Sequence, residues 1–208
     1  MMSIRSNLRA ICLVSSSISL LLSPLQSVNA SVLSGPILSS VNNHTYYLLS
    51  SNSWTNSEAE AVSLGGHLTT LRTFTENLWV YNTFTPLIQN YQGSTLWIGF
   101  SDAGHVGSFT WASGEPVTYT NWSPGQPDHA RGNEDYAHLW TPNIGQPALQ
   151  GQWNDLENNP APQFNIHGFG VVEVVKAVPE PEEWVMMLFG FGLVGYQVSR
   201  KKKVSARS

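Results

Sequence analysis

The sequence predicts an α+β domain, in which two helices precede most of an antiparallel set of strands. Two helix-start signals occur in the first half of the domain, whereas the segments that follow are short, apolar and strand-like. Between residues 113 and 162 the chain is rich in Gly, Pro, Asn and Asp, which favour turns and loops. Helices and strands that are segregated along the chain are typical of α+β domains.

The first helix is predicted to follow a strand at residues 46–49. Thr55 and Glu58 have the spacing of a capping box, in which each side chain bonds to a backbone N–H near the other residue. We therefore expect Thr55 to be the N-cap. Apolar residues between 59 and 64 fall on one helix face, and the glycines at 65–66 end the helix.

The second helix is predicted to begin with another capping box, formed by Thr73 and Glu76. Pro86 is expected to stop this helix, because proline has no backbone N–H to donate. Short segments rich in aliphatic and aromatic residues then favour strands. The extended segments expected from this pattern are 67–71, 96–100, 109–111, 136–139, 151–154 and 169–174.

Charge is distributed unevenly along the chain. Residues 31–177 contain three Lys and Arg but eleven Asp and Glu, so this segment is more acidic than the whole chain, whose formal net charge is −4. A nucleic-acid-binding domain needs a basic surface, so binding to nucleic acid is not expected. An acidic surface instead favours cations.

The first 30 residues are predicted to be a signal peptide. They begin with positive charges, continue with an apolar stretch at 10–25 and end in a small-residue cleavage site at 28–30, so the mature chain would start at Ser31. A membrane anchor is the alternative, but serines dilute this stretch below the roughly 20 apolar residues that span a bilayer. The single cysteine, Cys12, lies in this segment, which excludes disulfides and thiolate zinc sites from the mature chain.

The last segment, residues 178–208, combines three features in order. Pro-Glu-Pro at 179–181 precedes an apolar run at 184–198 and a basic cluster at 200–203. This order resembles the PEP-CTERM sorting signal of Gram-negative bacteria, which implies a short transmembrane helix before sorting by an exosortase. An ordinary C-terminal membrane anchor is the alternative. Both predict an exported protein of the cell envelope or extracellular space, with the basic tail on the cytoplasmic side.

Short motifs between residues 44 and 175 occur in an order that carries more information than any one of them. The motifs are WIGF at 97–100, FTW at 109–111, GEP at 114–116, NW at 121–122, QPD at 126–128, NEDY at 133–136 and WND at 153–155. In this order they resemble the C-type lectin-like domain. The resemblance implies two helices, antiparallel sheets and a long calcium-binding loop within a domain at 31–177. Tyr136 stands where the family usually has a cysteine, so the expected fold has no disulfides.

The resemblance also implies a calcium site built from oxygen ligands. The metal-binding residues that it implies are Gln126, Asp128, Glu134, Asn154 and Asp155. In the family the proline between the first two is cis, which turns both side chains toward the ion. Carbohydrate binding is implied for Gln126, Asp128, Glu134 and Asn154, with His129 as the one ring available in the loop after the triplet.

Simpler interpretations of these residues remain open. Asn and Asp are common in loops because their side chains make local turns, and Trp153 is expected in the core with or without calcium. Asp135 is interpreted either as a ligand of a second calcium or as a structural hydrogen-bonding residue. The six histidines do not have the spacing of a zinc pair, so no zinc site is expected.

Function follows from the same resemblance. The first hypothesis is calcium-dependent carbohydrate binding at the cell surface or in the extracellular matrix, with exopolysaccharide or a cell-surface glycan as the partner. The order Gln-Pro-Asp implies a galactose-type sugar. The alternative is a structural or protein-binding lectin-like module that binds no sugar. An enzyme is not expected, because the carboxylates cluster as metal ligands and no pair of nucleophile and base is recognisable.

Overall fold

The structure, a computed structural model, describes residues 30–144, 150–160 and 162–175. The predicted sorting segment at 178–208 and residues 1–29 of the predicted signal peptide lie outside the described residues. No helix among those described is both long and apolar enough to cross a bilayer. With Cys12 as its single cysteine, the chain forms no internal disulfide.

Two α-helices and eight β-strands form the regular structure of the described residues, which confirms the predicted α+β class. Helix α1 spans Trp54–Ser63 and helix α2 spans Phe74–Ile88. The strands are β1 Val32–Leu38, β2 Thr45–Ser51, β3 His67–Leu68, β4 Ser94–Ser101, β5 Thr110–Trp111, β6 Tyr136–Leu139, β7 Trp153–Leu156 and β8 His167–Val174.

All eight strands belong to one sheet. Its central order is β1-β2-β8-β4-β6-β7, with β3 added on β8 and β5 added on β4. The pairs are antiparallel as predicted, except that β4 and β8 run parallel, with Ser94 opposite His167 and Trp97 opposite Gly170. A parallel pair needs a long connection. The chain between β4 and β8 includes the long loop, which lies between β5 and β6, and the β6–β7 hairpin.

Strand β4 is the centre of the core, because its side chains are buried on both faces of the sheet. Leu96, Ile98 and Phe100 belong to an apolar cluster that also contains Trp153. Trp97 belongs to a second cluster. Successive residues of a strand point to opposite faces, so β4 links the two clusters. Trp153 has no exposed surface, which confirms its predicted place in the core.

Helix α1 begins earlier than predicted. Its N-cap is Ser53, whose Oγ accepts the backbone N–H of Asn56 at 3.2 Å, so the prediction of Thr55 as the N-cap is wrong. Glu58 does not close a capping box. Its carboxylate accepts the backbone N–H of Leu68 in β3 at 2.8 Å instead. Both hydroxyl residues fit the capping pattern, and the sequence does not show that Glu58 has a competing partner in β3.

The other helix ends agree only in part with those predicted from the sequence. Gly65 has a φ of +84° just after α1, as expected for a helix terminated by glycine. Thr73 caps α2 by accepting the backbone N–H of Glu76 at 3.2 Å. The prediction that Pro86 stops α2 is wrong, since the helix continues to Ile88. Burial of Ile88, which has no exposed surface, offsets the loss of one backbone donor in the last turn.

Several strand boundaries also differ from the predicted ones. Strand β1 was not predicted, because its sequence VLSGPIL does not alternate and contains a proline. The extended segment expected at 67–71 forms ladder bonds only at its first two residues. The last strand begins at His167, two residues before the predicted start, because its parallel partner begins at Ser94.

Arg72 connects the start of the long loop to the sheet through hydrogen bonds and ion pairs. The guanidinium of Arg72 donates to the Glu115 carboxylate at 2.6 Å and to Glu173 of β8 at 2.8 Å. Glu76 of α2 lies 3.6 Å from the same guanidinium. Glu173 and Glu76 are almost fully buried, so their charges need a cationic partner. The arginine thereby joins α2, β8 and the loop.

Replacement of Gly99 by Ala should destabilise the sheet. A Cβ at Gly99 would lie 2.3 Å from the carbonyl oxygen of Leu68, a backbone atom that cannot rotate away. We expect Gly99→Ala to lower the free energy of unfolding by about 2 kcal/mol, because overpacking forces the backbone to shift. Urea unfolding measures this. Thr110→Ala, an exposed position in the neighbouring β5, should change stability by less than about 0.5 kcal/mol. Equal stability of the two variants would contradict the close approach.

Candidate functional site

The candidate site lies where the long loop meets β7. In the β6–β7 hairpin, Ala137 is opposite Asp155. The loop is bonded to the other side of β7, since the Trp153 N–H donates to Asn121 O at 2.8 Å and the Ser123 N–H donates to Trp153 O at 2.9 Å. These bonds bring together two separate segments. The five predicted metal-binding residues divide into Gln126, Asp128 and Glu134 in the loop and Asn154 and Asp155 in β7.

Three carboxylates converge at this place. One oxygen each of Asp128, Glu134 and Asp155 lies within 4.8 Å of the others. Two oxygens that bind one Ca2+ at about 2.4 Å are at most twice that distance apart, so these three oxygens are spaced to share an ion. Glu134 and Asp155 are buried, whereas Asp128 is exposed. Like charges at this separation repel one another, and a divalent cation turns this repulsion into attraction. The donor set therefore fits Ca2+.

The Asp155 carboxylate also organises the loop. Its two oxygens accept the backbone N–H of Asp128 at 3.2 Å and that of His129 at 2.7 Å. The Asp128 N–H is shared with Gln126 Oε1 at 3.0 Å. The Gln126–Pro127 peptide bond is cis, as the sequence resemblance implies. Each carboxylate oxygen has two lone pairs, so Asp155 retains acceptor capacity for a metal while it holds the loop.

Burial disfavours the charged form of Asp155. Because the side chain is removed from water, the pKa of Asp155 lies above its ordinary value, and the negative charge of Asp128 adds to this effect. The N–H groups of His129 and Asp128 act in the opposite direction. A bound cation would likewise favour the ionised carboxylate. The site is therefore less favourable for three negative charges alone than for the same charges around a metal ion.

A buried histidine fixes the orientation of the Asn154 amide. The Thr95 hydroxyl donates to Leu139 O at 2.6 Å, so at 2.5 Å from His138 Nδ1 it accepts the ring N–H. His138 Nε2 is then unprotonated, and at 3.2 Å from Asn154 Nδ2 it accepts an amide N–H. The same Nδ2 also donates to Asp155 O. Both amide hydrogens have partners within the protein, which leaves Asn154 Oδ1 as the atom available to a metal.

Sequence reasoning missed this role of His138. It considered His138 only as a possible zinc ligand, and His138 is not one of the residues grouped as a possible metal site. The signal that could have found it is its position in a strand that pairs with WND, where a one-to-one register places His138 opposite Asn154. Its side chain is almost fully buried, and burial lowers its pKa to about 4.

His129 and Asp135 lie at the edge of the site. The His129 backbone is left-handed, with a φ of +48°. Its ring Nδ1 is 3.2 Å from Glu134 O and 3.4 Å from an Asp135 carboxylate oxygen, so the ring faces the protein on this edge. Asp135 O accepts the N–H of Asp102 at 3.1 Å, which is a structural contact. A role for His129 in sugar binding and one for Asp135 in a second calcium site stay predictions.

Comparison with known proteins identifies what this architecture is similar to. The family model described as Lectin C-type domain matches residues 50–161. A perlucin-like protein of Mytilus galloprovincialis is 31% identical over 107 residues, which cover 51% of this chain and 63% of that protein. An alpha-N-acetylgalactosamine-specific lectin of Patiria pectinifera is 34% identical over 93 residues, or 44% and 51% of the two chains. The chain thus spans about half to two thirds of these relatives.

A solved structure gives the same fold. The C-type lectin CEL-I from Cucumaria echinata superposes with a TM-score of 0.53 at 26% identity, covering 64% of this chain and 90% of that one. The predicted lectin-like fold is thereby confirmed. These three relatives are animal proteins, so the bacterial origin implied by the C-terminal motif stays a prediction.

Variants of His138 test its effect on Asn154. His138→Leu removes the acceptor for the Asn154 amide, and we expect it to weaken Ca2+ binding about tenfold or more, as loss of an outer hydrogen bond does in metal sites. His138→Gln places an oxygen near the former Nε2 position and should retain most of the affinity. Calorimetric titration of the whole chain with Ca2+ compares them. Equal affinities of the Leu variant and the natural protein would show that His138 does not position the ligand.

His138 also predicts a loss of stability in mild acid. Its pKa is about 4 in the folded protein and 6.5 as an ordinary value, so below the higher value the unfolded chain binds a proton that the folded chain excludes. The contribution of His138 is complete above that pH and is lost as the pH falls toward about 4. Urea unfolding should show the free energy falling by up to about 1.4 kcal/mol per pH unit. The His138→Gln variant should have a shallower slope, and identical slopes would refute this origin.

Proposed function

Since the chain belongs to the C-type lectin domain family, we propose that it binds carbohydrate through a Ca2+ ion held by the long loop and β7. The observation that carries the proposal is the convergence of the Asp128, Glu134 and Asp155 carboxylates within 4.8 Å. The family consists of binding domains, and membership in it bears out the prediction that the chain is not an enzyme.

Five side chains are available to hold the ion. Asp128, Glu134 and Asp155 offer carboxylate oxygens, and Gln126 and Asn154 offer amide oxygens. Ca2+ takes six to eight oxygen ligands, so these side chains leave coordination positions for other oxygens. A bound Ca2+ supplies direct coordination to two neighbouring sugar hydroxyls. The protein contributes the hydrogen bonds around them, because the Gln126 amide N–H groups donate to hydroxyls and the carboxylates accept from them. The N–H groups of Asn154 already bond within the protein.

The same residues favour a galactose-type sugar. The order of amide and acid in Gln126-Pro127-Asp128 is the one that the family resemblance associates with galactose or N-acetylgalactosamine. The Patiria pectinifera relative, named as specific for α-N-acetylgalactosamine, supports this choice. The loop after the triplet offers the ring of His129, which is half-buried and turned toward Asp135. A small contact area predicts weak binding of a single sugar.

Clustering would compensate for weak binding. We place the domain on the outside of the cell, in the envelope or extracellular matrix, with exopolysaccharide or a neighbouring cell's glycan as its partner. The support is the predicted signal peptide and the predicted C-terminal sorting segment, which would hold many copies on one surface. Multiple simultaneous contacts raise the apparent affinity without any new contact within a site.

Calcium should stabilise the folded chain and permit galactose binding. At about 100 times its Kd, Ca2+ adds roughly 2.7 kcal/mol, which raises the Tm by several degrees. Thermal melts of the whole chain in CaCl2 and in EDTA measure this rise, and retention on galactose-coated resin measures sugar binding. Asp128→Asn keeps the shape of the side chain but removes its charge, and it should abolish both effects.

A paired substitution separates the sugar assignment from the calcium assignment. Gln126→Glu combined with Asp128→Asn preserves the net charge of the site while it reverses the order of acid and amide. We expect this variant to keep the Tm rise and to prefer mannose. A Tm rise without binding to either sugar would favour the lectin-like module that recognises protein. The absence of any Tm rise in the natural chain would refute the calcium site itself.

A further inference from the structure

Two cavities lie at the opposite end of β4 from the candidate calcium site. Each has a volume of about 530 Å³, and the two adjoin at Asn90, which lines both; together they are called the groove. The groove borders the region where β4 and β8 begin, since Ser94 is paired with the groove residue His167. At the other end of β4, the Asp102 N–H donates to Asp135 O beside the calcium site. Eight strand residues span roughly 23 Å, so the two regions are separate.

The groove is lined by neutral polar side chains. No Asp, Glu, Lys or Arg is among the described residues that line the two cavities. Six primary amides line it instead, those of Asn82, Gln89, Asn90, Gln92, Asn143 and Asn165. All of them except Asn143 are exposed. An amide side chain both donates and accepts hydrogen bonds, which matches the hydroxyl groups of a neutral sugar. A charged ligand would meet no carboxylate, ammonium or guanidinium group among these described lining residues.

An exposed aromatic ring, that of Tyr91, lines the cavity that also contains His167. Tyr91 is 50% exposed, and its ring packs 5.1 Å from that of Phe169, which is almost fully buried. The contact holds the tyrosine ring in place while half of its surface remains open. An amphipathic ring of this kind offers an apolar face to the C–H groups of a sugar and a hydroxyl to its polar groups.

The turn that carries this tyrosine is held rigidly. Asn143 Nδ2 donates to Ile88 O at 3.0 Å and to Tyr91 O at 3.1 Å, and its backbone oxygen accepts the Gly93 N–H at 3.2 Å. Gly93 O in turn accepts the N–H of His167 at 2.9 Å. These bonds clamp both ends of the turn. A binding surface that is already ordered loses less entropy when a ligand binds.

We propose that this groove is a second carbohydrate site, which binds a neutral oligosaccharide without calcium. The proposal does not rest on the calcium site, because the groove contains no residue of that site. Each cavity has a volume in the range usual for small-ligand sites, and two cavities that adjoin at Asn90 suit a chain of several sugar units. The ring of Tyr91 stacks on one unit, and the flanking amides bind hydroxyls of that unit and its neighbours.

Binding of neutral hexasaccharides in EDTA tests the proposal. We expect cellohexaose or laminarihexaose to bind the whole chain with a Kd of about 1 mM or tighter, measured by NMR titration with EDTA present. Tyr91→Ala should weaken binding at least tenfold, whereas Tyr91→Phe should retain it. Asn90→Asp changes one amide into a charge at equal size and should weaken binding several-fold. Phe74→Ala, an exposed aromatic residue at the other end of α2, is the matched control and should have no effect.

The outcomes also separate this site from the proposed calcium site. Hexasaccharide binding that persists in Asp128→Asn, together with loss of galactose binding in that variant, supports two independent sites. Binding of neither neutral hexasaccharide in EDTA overturns the groove proposal and leaves calcium-dependent galactose binding unaffected. Equal affinity of Tyr91→Ala and the natural chain also overturns it. So does binding of an acidic hexasaccharide, hexagalacturonate, as tight as that of the neutral ones.

Discussion

The buried carboxylate of Asp155 is the group on which the candidate calcium site depends. It accepts two backbone N–H groups from the loop and places one oxygen near those of Asp128 and Glu134. The same group therefore both folds the loop and contributes to the metal site. Loss of this carboxylate would leave two backbone donors without their acceptor, so the loop and the site would fail together.

The position of Asp155 is in turn determined by the core two residues away. Trp153 is fully buried, and its indole N–H donates to Asn77 of α2 at 2.6 Å. Because side chains alternate along a strand, the burial of Trp153 on one face directs Asn154 to the opposite face and Asp155 to the same face as Trp153. Helix α2 thus controls the register of β7 through one hydrogen bond and a packed ring. The WND motif combines a core anchor with two site residues, which explains why it is informative in the sequence.

Sequence reasoning could predict what depends on local pattern and on family motifs, and it failed where tertiary contacts decide. Turn-forming residues and motif order predict the α+β fold, and they point to Asp128 and Glu134, whose carboxylates converge with that of Asp155. The metal-binding role of these residues stays a prediction. The N-cap of α1 was predicted wrongly, because Glu58 binds β3 and is not available to close the capping box. The parallel pairing of β4 and β8 joins residues far apart in sequence, and no local pattern encodes it. The contact of His138 with Asn154 depends on the exact register of the β6–β7 hairpin, which a strand pattern alone does not set.

The sheet also fixes the relation between the calcium site and the groove. The groove is connected to the start of β4 through the pairing of Ser94 with His167, and the candidate calcium site is connected to its end through the bond of Asp102 to Asp135. The strand therefore lies between the two sites. A polysaccharide reaches both only if it is long enough to pass along the domain, whereas shorter glycans would be held one at each end. Binding at a first site raises the effective concentration at the second only when the chain spans the distance. The fold would therefore distinguish long neutral polymers from short ones by length, and calcium would control only one of the two contacts.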